Sequence, residues 1–120
     1  RAGCVKVFDI LERMRATPLL CVLKDFRAEG KGMISFPMQG LSMAIDLPIR
    51  DHTQAVIDAL NDFVAGEGGR VYLAKDALTR AEHFRAMEPR LDDWLRVRRI
   101  WDPDVALKSA LSVRLFGDPA

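Results

Sequence analysis

Residues 41–49 read LSMAIDLPI. Successive side chains of an extended strand point to opposite sides. Leu41, Met43, Ile45, Leu47 and Ile49 therefore share one face, and Ser42, Ala44, Asp46 and Pro48 share the other. This alternation predicts an antiparallel strand that lays its apolar face on a core and leaves the opposite face small and polar. The second face is solvated by default. The register is strict, because a slip of one residue would bury Asp46 without a partner.

Working outward, LLCVLKDF (19–26) is a second short β-rich run, followed by a turn with two glycines, RAEGKG (27–32). MISFP (33–37) reads as a further extended piece. Upstream, VKVFDILERMRA (5–16) places Val7, Phe8, Leu11 and Met14 on one helical face. Thr17–Pro18 closes that helix, since proline disfavours helical backbone in the residue before it. Downstream, Asp51 with Gln54 forms a capping-box pattern, and Val56, Leu60, Phe63 and Val64 make the core stripe of the helix that follows. GEGG (66–69) ends this helix, because glycine accepts the left-handed C′ conformation. RVYLAKD (70–76) reads as a strand. The remainder is helical in pattern: TRAEHFRAM, RLDDWLRVRRIW and DVALKSALSVRL, with Pro89 and Pro103 at the joins near helix N-termini. Trp94 and Trp101 are read as core anchors. Asp92 and Asp93 suit the positive end of a helix, and RVRR (96–99) reads as a solvated face.

The order helix, strand, strand or strand pair, helix, strand and helical tail is α+β. It fits an antiparallel sheet with helices on one face, in a ferredoxin-like or split βαβ layout. The first strand of that layout would lie upstream of Arg1 or partly in RAGCV. The chain opens on Arg1 and almost at once enters a helical pattern, which reads as a piece of a longer protein.

Composition narrows the function classes. The chain has 120 residues, 49% hydrophobic and 29% charged, which suits one globular domain. Its 18 basic and 17 acidic residues nearly cancel, so nothing favours nucleic acid or an anionic membrane. No apolar run approaches the roughly 20 residues of a membrane span. Cys4 and Cys21 form no CxxC, and His52 and His83 lack a metal-site pattern. The expectation is a reduced, metal-free protein of the cytoplasm. GxSxG, P-loop and GxGxxG motifs are absent. One position stands out: Lys75, which ends an apolar run where a buried side chain is due. Either it points into water, or something anionic or electron-rich meets it.

GMISFPMQGLSMAIDLPIRD (32–51), GGRVYLAKDAL (68–78), FRAMEPRLDDWLRVRRIWDP (84–103) and the closing RL resemble the C-terminal part of FAD-linked oxidoreductases of the vanillyl-alcohol oxidase superfamily. The likeness is greatest to the decaprenylphosphoryl-ribose oxidase group, with the sugar-lactone oxidases as cousins. It runs from about Leu20 to Leu115. The resemblance implies a substrate-domain fragment, with residues 1–76 part of the substrate-binding cap and 77–120 a helical C-terminal tail. FAD would be held mainly by an N-terminal FAD-binding domain of the same parent chain. The implied reaction takes a hydride from a secondary alcohol of a sugar or sugar-lipid to the flavin. Lys75 matches the lysine that reaches flavin and substrate, which implies a catalytic and cofactor-binding role, and Tyr72 matches a pocket-lining tyrosine on the same segment, which implies a cofactor contact. Lys24 matches a second lysine facing the site, and Ser42 and Ala44 match pocket-lining positions. Ala44 stands where some members carry cysteine, and Glu88 where the nearest group carries tyrosine. An aldonolactone oxidase fragment is the rival enzyme reading, and a non-catalytic binding or dimerisation module is the rival from another class. An oligomer is compatible with all three. A membrane-associated or periplasmic parent is compatible with the enzyme readings.

Overall fold

A computed structural model describes residues 2–120. The order is α1 (Ala2–Arg13), β1 (Leu20–Phe26), β2 (Gly40–Asp46), α2 (Thr53–Gly66), α3 (Ala81–Met87), α4 (Leu91–Trp101) and α5 (Ala110–Phe116). The fold is α+β, and its sheet is a two-stranded antiparallel ribbon. Leu20 lies opposite Asp46, Lys24 opposite Ser42 and Phe26 opposite Gly40.

A two-stranded ribbon is marginal in isolation. Here Met43, Ile45 and Leu47 pack against buried Val7, Ile10 and Leu11 of α1 and Val56 and Leu60 of α2. The alternation of residues 41–49 thus sets the core face as expected over its middle. Its ends run out of cover: Leu41 is exposed, and Ile49 lies beyond the strand and is exposed. On α1, Ile10 occupies the place expected for Phe8, which is exposed. The helix begins earlier than its apolar pattern, at Ala2, so RAGCV supplies no strand; Arg1 lies outside the described residues. It ends as Arg15 turns left-handed and the Ala16 N–H bonds the Leu11 carbonyl at 2.8 Å, ahead of Pro18.

Asp51 does not cap α2. The N-cap is His52, without a side-chain cap bond, and Thr53 closes the entry instead. The Thr53 hydroxyl accepts from the Arg50 N–H at 2.7 Å and donates to the Pro48 carbonyl at 3.1 Å. At the other end Gly68 is left-handed (φ 69°) and the Gly69 N–H bonds the Val64 carbonyl at 2.8 Å, as the glycine run foretells.

A second cluster joins Phe84, Leu91 and Leu115 with Trp94, Leu95, Leu111 and Phe116 from α3, α4 and α5. Val71 and Leu73 pack into it. The two clusters meet along α2, where the Asn61 amide donates to the buried Thr79 hydroxyl at 3.1 Å. Arg80 donates to both oxygens of Asp58 at 3.0 Å, and the Gln54 amide donates to the Leu78 carbonyl at 3.0 Å.

Three expected elements differ. RVYLAKD is not a strand, and MISFP is not one either: neither segment pairs with an outer edge of the two-stranded ribbon, and a strand needs such a partner to complete its backbone hydrogen bonds. The split βαβ sheet is therefore not completed among the described residues. DVALKSALSVRL is helical only from Ala110, because the Asp102 carboxylate accepts from the Ala106 and Leu107 N–H groups at 2.7 and 3.0 Å and holds a turn there. Pro103 accordingly follows α4 without opening α5. Trp94 packs on Phe116 at 4.7 Å between ring centroids, whereas Trp101 is 84% exposed and anchors no core. Within RVRR, Arg98 is not simply solvated: both its terminal nitrogens bond Asp118 at 2.7 Å.

Candidate functional site

In an antiparallel pair, residues directly opposite share a face. Lys24 with Ser42, Val22 with Ala44, and Leu20 with Asp46 therefore lie on the side of the ribbon opposite to Met43 and Ile45. All three residues assigned to the substrate by resemblance stand on this outer face. Lys24 is exposed, and Ser42 and Ala44 are half-buried. Among the described residues the Lys24 ammonium has no hydrogen-bond or ion-pair partner.

Phe26 continues the same face at the strand end, opposite Gly40. Its ring meets Phe36 edge-on at 5.8 Å, and Phe36 lies 5.0 Å from Tyr72. An aromatic row thus leads from the ribbon to residue 72. Phe26 was legible in the alternation of β1, two places beyond Lys24. Phe36 was not, because the loop that carries it is held by contacts distant in sequence.

That loop is pinned by two arginines. Arg70 donates to Glu29 at 2.7 Å and to the Ser35 carbonyl at 3.1 Å. Arg90 donates to the Ser35 and Gly32 carbonyls at 3.2 and 3.3 Å. Arg90 is itself gripped by the buried Glu88 carboxylate at 2.7 and 2.9 Å. MEPR is thus a structural clamp over the loop, with Glu88 as its buried acid. Gly30 allows the loop to close: its N–H bonds the Pro37 carbonyl at 3.0 Å, and a Cβ there would sit 1.8 Å from the Ser35 hydroxyl.

Tyr72 and Lys75 are three residues apart, which on a strand would send them to opposite sides. The segment turns instead, with the Lys75 N–H bonded to the Tyr72 carbonyl at 2.9 Å. Val71 and Leu73 enter the second core while Tyr72 and Lys75 remain exposed. The Lys75 ammonium has no hydrogen-bond or ion-pair partner among the described residues. Asp76 does the anchoring: it accepts from the Thr79 N–H at 3.0 Å and from Arg114 of α5 at 2.7 Å. Burial pushes its carboxyl up, but the bonds from Thr79 and Arg114 outweigh burial and hold it below the ordinary aspartate value.

The polar groups here are two exposed, unpaired ammoniums, an exposed phenol and a half-buried hydroxyl, beside the half-buried rings of Phe26 and Phe36. This set offers hydrogen bonds and positive charge beside an apolar aromatic surface.

Two curated proteins resemble the chain over most of its length. Over 105 residues, 88% of its length, the chain is 38% identical to decaprenylphosphoryl-beta-D-ribose oxidase of Mycolicibacterium smegmatis. The chain is related to an oxidase. Its likeness to the decaprenylphosphoryl-ribose oxidase group, read from YLAKD and MEPRLDDW, therefore extends over most of the sequence. The chain is also 40% identical over 95 residues, 78% of its length, to a Streptomyces coelicolor protein described as an uncharacterized protein in the mprA 5′ region. It spans about a quarter of each of these relatives, 23% of the oxidase and 26% of the second. No protein-family profile matches it. Among the described residues no helix is long and apolar enough to cross a membrane.

Proposed function

We propose that this chain is the substrate-domain part of an FAD-dependent oxidoreductase that oxidises a secondary alcohol of a sugar or sugar-lipid. An FAD-binding domain of the same parent polypeptide is its proposed partner. The observation that carries the reading is the gathering of Lys24, Ser42 and Ala44 on one ribbon face, joined through Phe26 and Phe36 to the Tyr72–Lys75 turn. The relationship to an oxidase supports it.

FAD, when bound, supplies the two-electron acceptor. The chain's own residues do the rest. Lys24 and Ser42 offer hydrogen bonds to substrate oxygens, and Ala44 leaves room beside them. The aromatic row keeps water from one end of the face. Tyr72 gives an apolar ring with a polar tip at the margin of the site. Lys75 holds a positive charge where negative charge develops during the reaction.

The test uses the full-length parent with its flavin. Lys75→Met matches the stem in length and keeps the fold. Stopped-flow measurement with a sugar-alcohol substrate should find flavin reduction slowed about 10²-fold, the usual scale for one lost charge-stabilising group. A rate equal to wild type overturns the assignment. Turnover of an aldonolactone in place of a secondary alcohol would give the reaction to the lactone oxidases.

A further inference from the structure

Lys75 sits between two anchors that differ in kind. On its N-terminal side Val71 and Leu73 are held by packing in the second core. On its C-terminal side Asp76 is held by a polar clamp. Arg114 donates one terminal nitrogen to Asp76 at 2.7 Å and the other to the Thr79 carbonyl. Thr79 returns its own N–H to Asp76 at 3.0 Å and receives the Asn61 amide at 3.1 Å. Three stretches of chain thus converge on two residues: α5 through Arg114, the 76–79 turn, and α2 through Asn61. The Asp76 side chain is only 4% exposed, while Lys75 beside it is exposed and unpaired.

A lysine side chain has many rotamers, and its ammonium is a point charge on a flexible stem. Where that charge can go depends on where the backbone starts it. We propose that Asp76 and Arg114 are positioning residues for Lys75, and that α5 through this pair sets the turn from which the lysine reaches its site. This inference rests on the functional reading of Lys75 given above. It also gives the closing RL a role: Arg114 holds the turn, and Leu115, 2% exposed, locks α5 into the core that holds Val71 and Leu73. A misplacement of reacting groups by about 1 Å can cost on the order of 10²-fold in rate, so a clamp of this kind acts on turnover without touching substrate.

The experiment compares Arg114→Lys and Asp76→Asn with wild type and Lys75→Met in the full-length, flavin-loaded parent. Arg114→Lys keeps the charge but cannot bridge both oxygens in the same plane. Two readouts are taken: steady-state kinetics, and hydrogen exchange of the amides in 72–79. The expected result for both clamp variants is a fall in kcat of about tenfold or more with KM within about twofold. Exchange should quicken at 72–79, the Lys75 amide included, while α2 and α3 keep their protection. Wild-type kcat beside quickened local exchange overturns the inference, as does unchanged exchange. Protection lost throughout α2–α5 also overturns it, because the pair then holds the fold and not the turn. If Lys75→Met itself turns over like wild type, the functional reading fails. If Lys75→Met is slow and the clamp variants are not, only the positioning role fails.

Discussion

Lys24 and Ser42 stand directly opposite one another across the β1–β2 ribbon, on the face opposite to the one that packs on α1 and α2. Side chains so paired have Cβ atoms about 4.5–5.5 Å apart, so one bound group can touch both. Folding makes no use of this polar pair, since the core is built from the other side of the same strands.

Lys24→Met and Ser42→Ala should therefore leave stability within about ±0.5 kcal/mol of wild type. The same changes should raise KM in the full-length parent, by about tenfold or more for the lysine if it bonds a substrate oxygen. Thermal unfolding and steady-state kinetics on the same preparations check both halves. Loss of stability without a change in KM would show the face to be structural.

Glu88 and Arg90 behave differently. Glu88 is 4% exposed, and its carboxylate is bonded by Arg90, with Arg70 at 4.0 Å. Glu88→Ala leaves two guanidiniums without their shared partner and should cost about 3 kcal/mol, the lower end for breaking a buried pair, because Arg90 is partly exposed. The loop bearing Phe36 should loosen with it. Limited trypsin digestion at Lys31 should accelerate in this variant and stay slow in Lys24→Met.

Acid should weaken the tail before neutral pH does. Burial raises the Asp76 carboxyl, but bonds from Thr79 and Arg114 bring it below its ordinary value of 3.8. Asp118, held first by Arg98, is lowered as well. A folded value below the unfolded one means that the folded state binds fewer protons. The contribution is complete above the ordinary aspartate range and is lost as pH falls through the lowered folded value. Urea unfolding from about pH 6 down to about pH 2 should show a shallower acid limb for Asp76→Asn than for wild type. Parallel limbs would remove Asp76 from the acid response.

Gly30→Ala places a Cβ 1.8 Å from the Ser35 hydroxyl oxygen and 2.7 Å from its Cβ. Relief requires the loop to move, at about 1–3 kcal/mol by analogy with overpacked sites. Gly66→Ala, where a Cβ meets nothing within 4 Å, is the control and should be neutral or mildly stabilising. Equal denaturation midpoints for the two variants would contradict the close approach at Gly30.

The helices were legible where their apolar period was strong: α2, α3 and α4 lie close to where the pattern puts them. The candidate site was legible only in parts. Alternation places Ser42, Ala44 and Lys24 on faces, but it does not say that the two faces coincide. That depends on the register in which Lys24 meets Ser42. The arginines at 70 and 90 were invisible as a pair, because their common partners, Glu29 and Ser35, lie far upstream in the chain.

Local sequence alone determined what depends on neighbouring residues: the alternating face of 41–49, the glycine stop after α2, and the break before Pro18. Each follows from side-chain direction or backbone sterics within a few residues. Tertiary structure decided what depends on a partner. RVYLAKD has the pattern of a strand but pairs with neither outer edge of the β1–β2 ribbon; instead Val71 and Leu73 pack on α3–α5 and its backbone turns at Lys75. Trp101 and Phe8 have the hydrophobicity of core residues, yet both stay exposed among the described residues. Burial belongs to the arrangement of elements, and a side chain's own apolarity cannot supply the surface that covers it.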